Sequence, residues 1–223
     1  MHIDKTTCLL AAIPLFLACA LSASEESRWE KAIQSFEQQD AENAPPKGEI
    51  VFIGSSSIRM WKTSEDFPEF SIINRGFGGS QTADSVEFAH RIAIPYEPRL
   101  VVLYAGDNDI AAGKSPQQVA EDTKAFFKTI HDALPRTRIA YVAIKPSIMR
   151  WHLVEKMRAA NALIREHTQT EPLLQFIDID IPMLGEDGKP REELFIQDGL
   201  HLSREGYDLW NSIVRPYLSD ESD

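Results

Sequence analysis

Short apolar runs alternate with longer amphipathic segments along most of the chain. The apolar runs are rich in Val, Ile, Leu and aromatic residues, which is typical of strands buried on both faces. In the amphipathic segments the apolar positions recur every three or four residues, which is typical of helices that cover a sheet. This alternation predicts an α/β fold with a mainly parallel sheet of about five strands and helices on both of its faces.

Five apolar runs are predicted to form the strands, and each is followed within a few residues by glycine or proline. The predicted strands cover residues 49–53, 71–74, 100–104, 138–144 and 173–179. The longer segments between them are predicted to form helices, two of which cover residues 81–92 and 153–168. Because the body of the chain contains no repeat and no long linker, we expect it to form one domain.

Capping residues indicate where the other helices begin and end. Ser27 and Glu30 have the spacing of a capping box at the start of the first helix. Ser115 precedes a proline at the first position of a second helix. The last helix is predicted to begin after Ser203 and to end near Pro216, since proline cannot donate a helical hydrogen bond.

Three successive strands run into turns of small and polar residues. Ser56 follows the first strand, Gly79 the second and Asn108 the third. Because the carboxyl ends of parallel strands meet at one edge of a sheet, these residues are expected to lie close together. Asp198 and His201 are three residues apart in a late loop, a spacing at which a turn can bring a carboxylate onto an imidazole nitrogen. We therefore predict one polar site at this edge.

Most of these residues also have an ordinary structural interpretation. Ser56 could cap a helix that begins at its turn, and Asn108 could bond the backbone of its own loop. Gly76 and Gly78 are interpreted as turn glycines with positive φ. Asp109 is interpreted as a turn or capping residue rather than as a catalytic acid.

Four sequence blocks, in order, resemble the motifs of the SGNH hydrolases, also called the GDSL esterase/lipase family. The blocks are residues 52–58, 74–79, 106–109 and 198–201, and the resemblance spans residues 49–217. Two positions depart from the family pattern, since Ser55 and Ser80 stand where aspartate is common. The resemblance implies a three-layer, flavodoxin-like α/β fold.

The same resemblance implies a serine esterase that cleaves a carboxylic ester, with a short acyl or acetyl group, through an acyl-serine intermediate. Ser56 would be the nucleophile, His201 the general base and Asp198 the carboxylate that orients it. The oxyanion hole would consist of the backbone N–H groups of Ser56 and Gly79 and the side-chain amide of Asn108.

The register at the nucleophile depends on alignment with the family block, so Ser55 and Ser57 remain alternatives to Ser56. An acyltransferase or a glycan O-deacetylase would use the same residues, and a non-catalytic glycan-binding module is a further alternative. The substrate is expected to be a small-molecule, lipid or glycan ester. Loops over residues 146–152 and 181–195 are expected to determine which one.

Composition and charge narrow the classes of partner. The chain has 43% hydrophobic and 26% charged residues, which is ordinary for a globular protein and excludes disordered and collagen-like classes. A net charge of −11 argues against nucleic-acid binding. The residue pattern contains neither a convincing metal-ligand spacing nor a nucleotide-binding fingerprint, so no cofactor and no metal are expected.

The first 23 residues have the layout of a secretory signal peptide. Residues 8–21 are apolar and uncharged and are followed by small residues, which predicts a signal peptide over 1–23 and a mature domain over 24–223. The protein is therefore expected to be periplasmic or secreted. Both cysteines, Cys8 and Cys19, lie in this segment, so membrane attachment is expected only if Cys19 is lipidated.

Overall fold

A single parallel sheet of five strands forms the centre of the computed structural model, which describes residues 27–219. The strands are β1 (Ile50–Gly54), β2 (Ile72–Gly76), β3 (Leu100–Tyr104), β4 (Arg138–Val142) and β5 (Leu174–Ile177). Their order is β2-β1-β3-β4-β5 and every neighbouring pair is parallel. The chain order reverses between β1 and β3, so a crevice is expected outside the carboxyl ends of these two strands.

Eight α-helices pack around the sheet. They are α1 (Glu30–Glu42), α2 (Ser56–Arg59), α3 (Thr63–Asp66), α4 (Thr82–Ile92), α5 (Asp107–Ala111), α6 (Pro116–Ala133), α7 (Val154–Thr168) and α8 (Arg204–Leu218) within residues 27–219. Short 3-10 turns occur at Ile94–Tyr96, Trp151–Leu153, Ile181–Met183 and Glu192–Leu194.

The sheet has a hydrophobic core on each face because successive side chains of a strand point to opposite sides. On β1, Val51 and Ile53 face a core shared with α1, α4, α6 and α7. Ile50 and Phe52 face a second core, in which Trp210 of α8 packs with aromatic side chains that follow α2. The predicted three-layer α/β architecture with helices on both faces is confirmed.

The strand boundaries predicted from the sequence are confirmed for β3 and differ by a few residues elsewhere. β4 ends at Val142 instead of at position 144. The backbone N–H and carbonyl of Ile144 are instead bound by the side-chain amide of Asn161 in α7, at 2.8 and 2.9 Å. Because β5 has already ended at this point, the side chain of Asn161 supplies the hydrogen bonds that a neighbouring strand would otherwise make.

The predicted capping box at the first helix is wrong. α1 begins at Glu30, and its N-cap position, Trp29, makes no side-chain capping bond. The carboxylate of Glu30 accepts two hydrogen bonds from Arg91 of α4, at 2.7 and 2.9 Å. A paired, charge-assisted contact of this kind outcompetes a single backbone N–H. The serine caps are confirmed for α6 and α8, where Ser115 and Ser203 each accept a backbone N–H.

α8 ends at Leu218, close to the predicted end near Pro216, but the proline lies inside the helix instead of terminating it. The proline removes one hydrogen bond close to a terminus, where the carbonyl groups need other partners in any case. Arginine side chains supply them: Arg99 donates to the carbonyl of Leu218 at 2.9 Å, and Arg138 donates to that of Tyr217 at 3.2 Å.

The predicted signal peptide, with Cys8 and Cys19, lies outside the described residues, and so does its boundary with the mature domain. Export and lipidation stay predictions. Within residues 27–219 no helix is both long enough and apolar enough to cross a membrane.

Candidate active site

Three serines follow β1, and the fold gives them different environments. Ser55 and Ser57 are buried, whereas Ser56, the first residue of α2, is half-buried and lines a cavity. An added Cβ at Gly54, which has φ +142°, would lie 1.9 Å from the carbonyl oxygen of Tyr104. Only glycine therefore lets the chain turn this close to β3. Of the three serines, Ser56 is the one that faces the cavity.

An imidazole and a carboxylate from the last loop lie against Ser56. His201 Nε2 is 3.0 Å from the Oγ of Ser56, and His201 Nδ1 is 2.6 Å from Oδ2 of Asp198. The other carboxylate oxygen of Asp198 accepts the backbone N–H groups of Leu200 and His201, at 2.8 and 2.9 Å. This turn, with Gly199 at φ +63°, fixes the carboxylate and imidazole relative to each other.

The electrostatics of this pair favour an ionised carboxylate. Burial of the Asp198 carboxyl opposes ionisation, but hydrogen bonds from the His201 side chain and from the backbone N–H groups of His201 and Leu200 outweigh it. Together they lower the pKa of Asp198 to about 2. An imidazole hydrogen-bonded to an anion at one nitrogen can accept a proton from a hydroxyl at the other.

The opposite side of the cavity presents hydrogen-bond donors. Within residues 27–219 the backbone N–H groups of Ser56 and Gly79 donate to no acceptor. The side-chain amide of Asn108 donates one hydrogen to the carbonyl of Ser80 at 2.9 Å, which leaves its second hydrogen free. Asn108 thus bonds a different loop, and the alternative interpretation, in which it bonds its own loop, is wrong.

All five residues predicted to form the site meet at one cavity of about 470 Å³ or directly behind it. Asp198 lies behind the imidazole, and the other four line the cavity. Its lining residues are Ser56, Arg59, Gly78, Gly79, Asn108, Arg150, Leu200 and His201. The cavity is outside the carboxyl ends of β1 and β3, where the strand order predicts a crevice.

Sequence comparison assigns the chain to a family. Residues 60–209 match the model of the GDSL-like lipase/acylhydrolase family, which is more than half of the chain. The chain belongs to this family. It is accordingly a hydrolase that acts on ester bonds. Ser56 lies before the matched segment, so the place of Ser56 in the site rests on the geometry above. A search of curated proteins found no match to the sequence.

Solved structures with a similar fold support the assignment of this acylhydrolase to the fold class. A Streptococcus pneumonia protein, provisionally described as a platelet activating factor, has a TM-score of 0.76 at 23% identity, over 85% of this chain and 92% of that one. A GDSL-like lipase from Bacteroides thetaiotaomicron has a TM-score of 0.73 at 19% identity, over 83% and 96%. A Geobacillus acetyl-xylooligosaccharide esterase variant has a TM-score of 0.61 at 15% identity, over 79% and 96%.

Beside the donors of the acylhydrolase cavity lies a charged network that the sequence interpretation missed; it runs from Arg150 in the cavity lining to the buried Lys145. Arg150 donates from two guanidinium nitrogens to Oδ1 of Asn108, both at 3.1 Å, and lies 3.0 Å from Oδ2 of Asp107. The same carboxylate is 3.4 Å from Nζ of Lys145, which is only 1% exposed and also donates to Tyr104 Oη at 3.0 Å. Burial, and the nearby charge of Asp107, raise the pKa of Tyr104 well above its usual value.

This network fixes the amide of Asn108 in one orientation. Because the Oδ1 atom accepts from Arg150, the Nδ2 atom must point toward Ser80 and the cavity. Two signals in the sequence could have revealed the network: Asp107 precedes Asn108 in the same block, and Lys145 directly follows the predicted strand over residues 138–144, at the same sheet edge. Neither signal specifies Arg150 as the partner.

Asp109 connects the two loops that carry the donors. Its carboxylate is fully buried and accepts the backbone N–H of Thr82, at the start of α4, at 3.0 Å, and the Nζ of Lys114 at 2.9 Å. Burial raises the pKa of Asp109, and the contacts with Lys114 and Thr82 counteract that rise. The interpretation of Asp109 as a turn residue is wrong, because it lies in α5, but its carboxylate does cap a helix: it accepts the N–H of Thr82, the first residue of α4.

The predicted positive φ at Gly76 and Gly78 is wrong, whereas Gly79 has φ +78°. An added Cβ at Gly76 would lie 2.1 Å from the backbone N of Arg59 in α2, so glycine is needed there for close packing. Gly78 lies under the side chain of Arg59. Both glycines let the loop after β2 approach the turn that carries Ser56.

No group of three or more His, Cys, Asp or Glu side chains able to hold a metal ion occurs among the residues that the structure describes. The expectation that the enzyme needs no cofactor and no metal stays a prediction.

Proposed function

We propose that this acylhydrolase is a serine esterase in which Ser56 is the nucleophile, His201 the general base and Asp198 the residue that orients the base. The observation that carries the proposal is the placement of His201, with one ring nitrogen 3.0 Å from the serine Oγ and the other 2.6 Å from the carboxylate. These are the distances at which a hydroxyl can lose its proton as it attacks.

In the first half of the reaction, Ser56 Oγ attacks the ester carbonyl carbon while His201 Nε2 takes its proton. Negative charge then develops on the carbonyl oxygen, which accepts hydrogen bonds from the backbone N–H groups of Ser56 and Gly79 and from Nδ2 of Asn108. The ester C–O bond breaks as His201 returns the proton to the leaving oxygen. The products of this half are an alcohol and an acyl-serine.

In the second half, water attacks the acyl-serine. His201 takes a proton from the water, the same donors stabilise the second oxyanion, and the proton passes to Ser56 Oγ as the acid leaves. Asp198 keeps the imidazole in the required tautomer and stabilises its protonated form, since its lowered pKa keeps it ionised.

The lining of the cavity supports a short acyl group. Apart from glycines, Leu200 is the only apolar residue among the described residues that line it, and two of the others are arginines. A long acyl chain would need an extended apolar surface to leave water, whereas an acetyl group needs little. A glycan O-acetyl ester is a second candidate substrate, because the similar Geobacillus structure is an acetyl-xylooligosaccharide esterase.

Two neighbouring serines provide a matched test. Ser56→Ala is expected to lower the kcat for p-nitrophenyl acetate by at least about 10⁴-fold and to abolish labelling by a fluorophosphonate. Ser55→Ala is the control, because the Oγ of Ser55 is buried without a hydrogen-bond partner in the described structure, and it should leave both near wild type. A Ser56→Ala enzyme with wild-type turnover would overturn the proposal.

A further inference from the structure

Arg59 differs from most arginines of the described structure because no carboxylate lies within ion-pair distance of it. The paired arginines include Arg75, Arg91, Arg150, Arg158, Arg165, Arg191, Arg204 and Arg215. The side chain of Arg59 is exposed, and Arg59 lines the same cavity as Ser56 and His201. A cation without a counter-ion therefore stands at the mouth of the candidate active site.

The position of this guanidinium is set by two elements. Arg59 follows Ser56 by three residues in α2, so the two side chains lie on the same side of the helix. An added Cβ at Gly78 would lie 2.8 Å from Nε and 3.3 Å from Nη2 of Arg59. The guanidinium thus rests against the backbone of Gly78, next to Gly79, whose N–H is one of the proposed oxyanion donors.

Two further arginines, Arg150 and Arg28, lie near Arg59, although the whole chain carries a net charge of −11. Arg150, which is paired with Asp107, lines the cavity with Arg59, and no Asp or Glu is among the lining residues that the structure describes. Arg28 lies nearby, donating to the carbonyl of Gly79 at 3.1 Å. The oxyanion of the proposed reaction already has neutral N–H and amide donors, so its chemistry does not account for an additional free cation.

We propose that the ester cleaved at this site carries an anionic oxygen group, a carboxylate or a phosphate, which Arg59 binds. This inference rests on the proposed esterase function. A guanidinium binds either group through paired N–H donors, and a local positive potential raises the rate of encounter with anions. Arg59 is then a specificity residue: it selects the substrate without taking part in bond making or breaking.

Three aryl acetates that differ only in the substituent para to the acetoxy group test the proposal. The substrates are 4-acetoxybenzoate, 4-acetoxyphenyl phosphate and, as the neutral member, methyl 4-acetoxybenzoate. The measured quantity is the ratio of kcat/KM for each anionic ester to kcat/KM for the neutral one, so that leaving-group effects cancel between enzymes. Arg59→Gln is expected to lower this ratio about tenfold for at least one anion, and Arg59→Lys to lower it less. The anionic ester whose ratio falls further in Arg59→Gln shows whether the site prefers a carboxylate or a phosphate.

Arg136→Gln is the matched control. Arg136 is exposed and has no carboxylate partner in the described structure. It lies in the loop that enters β4, at the amino ends of the strands, whereas the cavity lies at their carboxyl ends. This variant should leave the ratio unchanged.

Salt provides a second measurement. Raising NaCl from 50 to 300 mM should lower kcat/KM for the preferred anion more than for the neutral ester in the wild type. In Arg59→Gln the difference between the two esters should be smaller.

The outcomes separate this inference from the proposed function. An unchanged ratio in Arg59→Gln, in a protein with a wild-type melting temperature, overturns the anion selectivity. Hydrolysis of the neutral ester that still depends on Ser56 would then leave the esterase proposal standing. Hydrolysis of every ester without dependence on Ser56 would instead contradict the esterase mechanism and, with it, the selectivity assigned to Arg59.

Discussion

Two aspartates support opposite sides of the cavity around Ser56, and they do so by different routes. Asp198 binds the imidazole of His201 directly at 2.6 Å. Asp107 acts indirectly: it pairs with Arg150 at 3.0 Å, and Arg150 donates to the amide oxygen of Asn108. One carboxylate therefore supports the proposed base, and the other supports a proposed oxyanion donor.

The two routes differ in how much structure they need. Asp198 reaches its partner within a single turn, stabilised by two backbone N–H groups. Asp107 depends on a loop that follows β4 and on the buried Lys145, which shares its carboxylate. A support that acts directly on a reacting group should matter more for rate than one that acts through a second side chain.

The largest effect is expected for Asp198→Asn. The amide oxygen can keep the backbone hydrogen bonds of the turn, but the amide has no charge and can favour the wrong imidazole tautomer, so kcat should fall by about 10⁴-fold. Steady-state hydrolysis of p-nitrophenyl acetate measures this. Asp187→Asn is a matched control, because Asp187 is exposed and also accepts a backbone N–H, from Lys189. A loss of less than tenfold in Asp198→Asn would contradict the orienting role.

An intermediate effect is expected on the donor side. Asn108→Ala should lower kcat by about 10²- to 10³-fold, because it removes one oxyanion donor. Arg150→Met should lower kcat by about tenfold, with a smaller change in KM, because the amide of Asn108 loses its fixed orientation.

The double variant shows whether Arg150 acts through Asn108. If it does, Arg150→Met should cause almost no further loss of kcat in the Asn108→Ala background. Additive losses in the double variant, in proteins with comparable melting temperatures, would contradict the positioning role and indicate a separate function for Arg150.

The smallest effect is on stability. Because the pKa of Asp198 is about 2 in the folded protein and 3.8 is its ordinary value, the carboxylate should stabilise the fold above pH 3.8 and lose this contribution as the pH falls toward 2. The side chain is 35% exposed, so solvent screening should limit the effect to about 1 kcal/mol. Urea unfolding of wild type and Asp198→Asn at pH 6 and pH 2.5 measures it. A difference that stays constant between these pH values would contradict the lowered pKa.

Local patterns were sufficient for the sheet and for one half of the site. The predicted strand over residues 100–104 is β3, since a continuous apolar run bounded by turn residues has few alternatives. The Asp198–His201 contact could be predicted because three residues of chain impose the geometry. Helix ends were less predictable, since Glu30 pairs with Arg91 rather than with its own helix N-terminus.

By itself, the sequence determined the order of strands and helices along the chain, the sheet edge where Ser56, Gly79 and Asn108 meet, and the pairing of Asp198 with His201. The first and last follow from neighbours in the chain, and the second follows because parallel strands end at a common edge. Only the tertiary structure decided which of the three serines faces the cavity, that Arg150 holds Asn108, and that Arg59 is left without a carboxylate. These features depend on contacts between residues far apart in sequence, and the packing of the whole sheet sets those distances.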